Sequence, residues 1–365
     1  MKEIKIYADV VDPKAMEQFE SAMAQPFAIK GALMPDVHAG YALPIGAVVA
    51  TEGVVVPSWI GYDQGCGLGA VPTTFIREDI SCCAEEIFKR IYKEIPVGFN
   101  HHKVDTHWES AGAHIVSSAA EAIFNKNGLK QLGTLGGGNH FIEIGYDEDD
   151  HVWVIVHSGS RGIGHAVATH HMRLASGDGK AREGHFGFST TSREGLDYLL
   201  DLNFCLAFAL ENRRQILLKV VEILQDYSGG RADFSALINR NHNHVELKDG
   251  LWIHRKGATH AEEGMLGVIP GNMRDGSFIV RGKGNPDSLF SSSHGAGRVL
   301  GRKEAQRQLD MDNFSSLMSG ITANVSEDTL DESPLAYKNI FDVMDQQKDL
   351  VEVLHHIKPI INIKG

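Results

Sequence analysis

Cysteine is scarce in this chain, with four in 365 residues. That is too few for a disulfide framework, so a reducing cytoplasm is the expected compartment. Long apolar runs are missing as well. None approaches the roughly 18 residues of a membrane span, and the opening MKEIKIYADVVDPKAM has no signal-peptide pattern. There is no tandem repeat, low-complexity tract or long Pro/Ser linker. Basic excess is absent: the net charge of −12 rules out a protein coated in positive surface. Local clusters of Arg and Lys can still hold phosphates on an acidic protein. The remaining composition, 42% hydrophobic and 22% charged, is that of a globular protein with one large or two small domains.

What the chain has in quantity is glycine, 39 residues, and histidine, 19 residues. Glycine lets backbone approach a ligand closely, and histidine is the commonest metal ligand and a frequent proton carrier. The regular elements alternate without strict βαβ order, which predicts an α+β fold. ALPIGAVVATEGVVVP reads as two strands around a TEG turn, and HVWVIV as a buried strand. Helices are expected over REDISCCAEEIFKRIYKEI, over SAGAHIVSSAAEAIFNKNG with a stop at Gly128, and from Ile163 to Leu174. Ser192 to Tyr227 has helical periodicity for more than thirty residues, as one helix or two. NHVELKDGLWIHR reads as a hairpin around Asp249-Gly250. Tyr337 to Ile357 reads as helical.

The glycine clusters fall between these elements, where sites are usually built. GYDQGCGLG sets Asp63 three residues from Cys66. GTLGGGNHFIEI, VHSGSRGIGH, NRNHNHVE and SSSHGAGR each set a histidine among small or polar residues. Asp63, Cys66, His140, His157 and His242 together offer carboxylate, thiolate and imidazole ligands for one or two divalent ions. No C-x-x-C or H-E-x-x-H spacing fixes the set. Thiolate and imidazole favour zinc, whereas carboxylate and phosphate oxygens suit manganese or magnesium. Cys82, Cys83 and Cys205 read as core or surface residues. His101, His102, His107, His114, His165, His170, His171, His355 and His356 read as solvated or capping.

GTLGGGN and SSSHGAGR also have a phosphate-cradling composition, although neither is a Walker motif. His294 in the second could attack phosphorus while Arg298 and backbone N–H groups hold the oxygens. It could equally cap the following helix.

MPDVHAG, GYDQGCGLG, GTLGGGNHFIEI, VHSGSRGIGH, HRKGATHA, SSSHGAGR, PLAYKN and the terminal IKG occur in an order that resembles the RtcB family of RNA ligases, from about Met34 to Gly365. The resemblance implies a single α+β domain, residues 1–365, with a central β-sandwich flanked by helices. It implies GTP-dependent joining of RNA 3′-phosphate or 2′,3′-cyclic phosphate ends to 5′-hydroxyl ends, in RNA repair or tRNA splicing. Two Mn²⁺ ions are implied, with Zn²⁺ able to substitute in vitro. Cys66 would bridge the ions, Asp63 and His140 serving one and His157 and His242 the other. His294 would be the nucleophile that takes GMP. The implied GTP pocket comprises Asn139, His140, Phe141, Glu143, His242, Asn243, Pro270, Gly271, Asn272, Met273, Ser277, His294, Gly295, Ala296, Gly297, Tyr337 and Lys364. Arg161 and Arg298 would face RNA phosphate. The sequence departs from the pattern where PGNMRDGS stands for the expected PGSMGT and where His260 replaces an arginine. A metal-dependent phosphoesterase and a non-enzymatic RNA-end sensor are the competing readings.

Overall fold

β-Branched runs such as IGAVVAT and HVWVIV become strands because their stiff side chains pack well on a pleated surface, and here they are buried along nearly their whole length. In the computed structural model, which describes residues 2–365, these runs build two principal sheets. One has the strand order Glu3–Ile6, Ala28–His38, Ile45–Thr51, Leu251–Lys256, Asn243–Lys248. Its last two strands are the expected hairpin, with Leu247 opposite Trp252. The other runs Leu266–Pro270, Ser277–Gly282, Val351–Lys364, Phe141–Tyr146, His151–Ser158, Gly67–Ile76, Ile238–Asn241, with Thr322–Ala323 added beside Val351–Lys364. This second sheet curls until its ends meet, and Arg240 Nε donates to Leu266 O at 3.3 Å. It is nearly closed.

The two sheets share a core of Met34, Val48 and Ile253 from the first and Ile269, Phe278 and Val280 from the second. The fold is therefore α+β, with strands of both sheets packed face to face. Helices cover the outer surface of the curled sheet. Arg193–Gln225 is one continuous helix of 33 residues, opened by Ser192, whose side chain accepts from Gly195 N. Its Ile216, Leu217 and Val220 pack with Ile87 and Ile91 of helix Ala84–Glu94 over Val71, Val154 and Ile142. No helix among the described residues is long and apolar enough to cross a membrane.

Several local expectations are corrected. The helix expected from Tyr337 to Ile357 is only Ile340–Asp345, and Val351–Lys364 is a 14-residue strand. Its six β-branched Val and Ile residues favour that outcome, and Pro359 sits where the register shifts. His355 and His356 thus lie on a strand. REDISCC is broken: Arg77–Ser81 and Ala84–Glu94 are separate helices that part at Cys82 and Cys83. The Gly128 stop fails too, since Ser118–Gln131 kinks at Asn127 and continues. In the TEG region, Val54–Val55 pairs with Phe188–Ser189 rather than with Ile45–Thr51. His171 is buried rather than solvated, its Nε2 2.8 Å from Asp201 Oδ2.

Candidate metal centre and nucleotide cleft

Four neighbouring strands of the curled sheet end at one place. Phe141 and Leu68 both lie opposite His157, and Gly67 lies opposite Asn241. This register brings the adjoining Cys66, His140, His157 and His242 into a row across the sheet end. Cys66 Sγ is 3.4 Å from His140 Nε2 and 3.1 Å from His157 Nε2. His157 Nε2 is 3.3 Å from His242 Nε2, and His140 Nε2 is 3.0 Å from Asp63 Oδ2. All five candidate ligands converge. The crowding explains one of the surrounding glycines: a Cβ on Gly159 would stand 2.2 Å from Asp63 Oδ1.

Hydrogen bonding sets the ring orientations. His140 Nδ1 donates to Leu135 O at 3.1 Å, and His157 Nδ1 to Asn139 O at 3.1 Å. In the neutral rings this leaves bare Nε2 lone pairs facing inward, the tautomer a metal requires. Acceptor then faces acceptor across the cluster, and a proton or a cation must lie between them. Burial pushes the His157 and His242 pKa values well below the ordinary range, with neighbouring imidazoles adding to the effect. Burial and then Asp63 push the Cys66 thiol well up. Burial would raise Asp63, but the adjacent His140 holds it well below the usual carboxylate range. Divalent cations fit this donor set, since they would satisfy every inward lone pair and displace the thiol proton.

The loops are fixed from behind by the long helix. Asn212 Oδ1 accepts from Gly133 N and Thr134 N, and its Nδ2 donates to Thr134 O, Ser158 Oγ and Gly159 O. Fully buried Arg213 donates to Gly65 O, Ser158 O, Asn239 Oδ1 and Asn241 Oδ1. Sequence reading missed both residues, because a polar pair inside a helical repeat looks like solvated surface.

His294 stands beside the cluster, its ring centroid 4.7 Å from that of His242. Its Nδ1 donates to Asp36 Oδ2 at 2.7 Å, and its backbone N–H donates to the same oxygen at 3.1 Å. Nε2 therefore carries the free lone pair. A Cβ on Gly257 would stand 3.0 Å from His294 Cε1, so glycine there makes room for the ring. Asp36, wholly buried in the MPDVHAG stretch, was not singled out from sequence.

A cleft of about 270 Å³ opens from His294 and His157. Asn139, Phe141, Glu143, Pro270, Gly271, Asn272, Met273, Gly295, Ala296, Gly297, Tyr337 and Lys364 line it, as the resemblance implied. His140, His242, Asn243 and Ser277 do not line it. Asn243 instead braces the metal loop, donating to Asp63 O at 3.1 Å and accepting from Gly257 N at 2.8 Å. Close by, Glu143 Oε1, Ser277 Oγ and Asn362 Oδ1 are buried with no hydrogen-bond partner among the described residues. Burial lifts the Glu143 pKa to about 7, although Ser277, Lys364 and Asn362 pull the other way. Lys364 is no frayed tail: it is buried, with Nζ 2.7 Å from Glu332 Oε2. Glu332 also accepts from Tyr337, Arg298 and Arg302, which makes it the hub of this wall. In the PGNMRDGS turn, Asn272 donates to Asp275 Oδ2 at 2.8 Å and accepts from the backbone of Arg274 and Asp275. Its side chain is thus committed within the loop.

The two arginines part company. Arg161 lines a second cleft of about 880 Å³ with Asp63, His140, Tyr62 and Lys126. Arg298 lines the first cleft. The ligand cluster forms the partition between the two. A further grouping of His244, Glu246 and His260 has ligand-like spacing. It already holds a cation, the buried Arg255 guanidinium, which contacts His244 and Glu246. His260 stacks on His244 there, with centroids 4.7 Å apart.

The profile of the family described as tRNA-splicing ligase RtcB matches residues 18–127 and 106–365. The chain is 35% identical to the RNA-splicing ligase RtcB of Escherichia coli (strain K12), across 97% of this chain and 95% of the relative. It is 27% identical to the tRNA-splicing ligase RtcB of Thermococcus kodakarensis, across 99% and 94%. A homologue from Entamoeba dispar, RNA-splicing ligase RtcB homolog 1, is 27% identical across 97% and 82%. A match over nearly the whole length, on a chain whose signature loops converge at one sheet end, places this protein in the RtcB family.

Proposed function

We propose that the protein is a GTP- and manganese-dependent RNA ligase that joins 3′-phosphate or 2′,3′-cyclic phosphate ends to 5′-hydroxyl ends. The observation that carries this reading is His294. Its Nδ1–H is bound to a buried carboxylate, and its Nε2 lone pair is free beside both the ligand cluster and a cleft of nucleotide size. Hydrolysis of a phosphoester does not require such a nucleophile.

His294 Nε2 attacks the α-phosphorus of GTP, the bond to the β-phosphate oxygen breaks, and pyrophosphate leaves. Asp36 holds the ring in the attacking tautomer and stabilises the positive charge that develops on it. An oxygen of the RNA 3′-phosphate then attacks the phosphorus of the histidine–GMP adduct, and the N–P bond breaks. Finally the 5′-hydroxyl oxygen attacks the activated 3′-phosphate, its proton passes to solvent, and the bond to the GMP oxygen breaks so that GMP departs; a 2′,3′-cyclic end would first be opened by water to the 3′-phosphate. Divalent ions held by Cys66 with Asp63 and His140, and with His157 and His242, would supply neutralisation of the phosphate charge. The unpaired Glu143 and Asn362 atoms on the cleft wall suit the polar edge of guanine, and Lys364 lies over the Phe141 ring, Nζ 5.1 Å from its centroid. Arg161 and Lys126 in the second cleft suit RNA phosphate.

The test is a broken RNA hairpin bearing 3′-phosphate and 5′-hydroxyl ends, incubated with GTP and Mn²⁺. A sealed strand is expected. Opening of a cyclic end with no joined product at any GTP concentration would give the site to a phosphoesterase instead.

Glu143 makes a second outcome measurable. Its pKa of about 7 lies above that of a free carboxyl, so the empty site carries the proton below neutral pH. Guanine N–H groups favour the ionised form. GTP affinity should therefore fall with pH below about 7, approaching tenfold per unit. Glu143→Gln should flatten this dependence in a calorimetric titration, and an unchanged slope would remove Glu143 from base recognition.

A further inference from the structure

His38 shares its anchor with the nucleophile. Its Nδ1 lies 2.9 Å from Asp36 O, while the Asp36 carboxylate holds His294 Nδ1 at 2.7 Å. One residue thus orients two imidazoles, gripping the first through its backbone and the second through its side chain. A carbonyl oxygen only accepts, so the proton of His38 sits on Nδ1 and Nε2 bears a lone pair. The half-buried ring lines the same cleft as His294, Gly295 and Arg298. Among the described residues no group hydrogen-bonds to its Nε2. Burial pushes its pKa down to about 4, so the ring stays neutral at physiological pH.

These facts restrict what His38 can recognise. A bare lone pair repels phosphate oxygens and carbonyls, so the partner must be a cation or a donor; among the described residues His38 belongs to no cluster with metal-ligand spacing, which leaves the donor. Beside an atom that attacks a nucleotide phosphorus, the nearest donors on a ribonucleotide are its sugar hydroxyls. We propose that His38 Nε2 accepts a hydrogen bond from a ribose hydroxyl of the substrate bound next to His294, which makes it a determinant of ribose over deoxyribose. The proposal rests on the reading of this cleft as the place where GMP is transferred. In the guanylyl-transfer steps two ribonucleotides meet there, the GTP and the 3′-terminal nucleotide of the RNA, and either could present the hydroxyl.

The experiment compares wild type, His38→Ala and His38→Asn in two arms. In the first, covalent adduct formation is followed with GTP, 2′-deoxy-GTP and 3′-deoxy-GTP. In the second, preformed adduct is chased with RNA whose 3′-phosphate nucleotide is ribose or 2′-deoxyribose. Wild type should prefer the hydroxylated substrate by about tenfold, the worth of one hydrogen bond of about 1.4 kcal/mol. His38→Ala should erase that preference in one arm by slowing only the hydroxylated substrate. His38→Asn, which keeps an acceptor, should retain part of it. Loss of preference in the first arm assigns the hydroxyl to GTP, and loss in the second assigns it to RNA. If His38→Ala slows every substrate equally, or leaves the preferences intact, His38 is no ribose contact and the proposal fails. A wild type that forms no adduct with any nucleotide would overturn the reading of the cleft and this proposal with it.

Discussion

With His294 replaced by alanine, no covalent guanylylated protein is expected from α-labelled GTP and Mn²⁺, a loss of at least about 10³-fold because the imidazole oriented and charged by a buried carboxylate is gone. The argument is local. His294 is the imidazole on the cleft wall that combines a carboxylate on Nδ1 with a free Nε2. The other imidazoles beside it, His157 and His242, point their Nε2 atoms at one another. Removing the ring should leave the cleft intact, so nucleotide binding should persist while the adduct disappears. Asp36→Asn offers a graded control. An amide can donate to Nδ1 and move the ring proton to Nε2, with an expected loss on the order of 10²-fold or more. Label that survives in His294→Ala, as acid-labile phosphoramidate on another residue, would end the assignment.

The second large effect is on metal. Cys66 lies between His140 and His157, so its sulfur is the one donor placed to serve both halves of the cluster. Cys66→Ala should lower metal affinity by well over about 100-fold, more than the loss of an outer-shell partner. It should do so with little change in fold, because the residue contributes scant apolar packing. Cys205→Ala is the matched comparison. Cys205 is wholly buried in the core of the long helix, against Phe204, Phe208 and Trp108. It should cost about 1–2 kcal/mol of stability and leave metal content unchanged. Mass-spectrometric metal counts after dialysis decide the matter. Equal content in the two variants would make the Asp63–Cys66 loop a structural turn only.

The convergence of Asp63, Cys66, His140, His157 and His242 was legible because each sits in or beside a glycine- or asparagine-rich loop at a strand end, whose composition serves little else. The nucleotide wall was legible only through the family pattern. Lys364 shows why: one residue from the end, nothing local says that it will be buried against Glu332. Asp36 and Glu332 were invisible for a related reason. Their importance lies in partners hundreds of positions away or across several charges at once, and a carboxylate read alone looks like surface. The C-terminal strand was misread because its helical and extended patterns overlap over a short apolar run. Pairing with Phe141–Tyr146 and Ser277–Gly282 decided the outcome, not local preference.

Asn212 and Arg213 occupy consecutive positions on one turn of the long helix, yet between them they grip the backbone or side chains of four separate segments. It follows that the ligand row cannot assemble until that helix has docked against the curled sheet. Amide protons of Gly133 and Thr134, both held by Asn212 Oδ1, should accordingly exchange at the rate of the helix that secures them, in a single opening event.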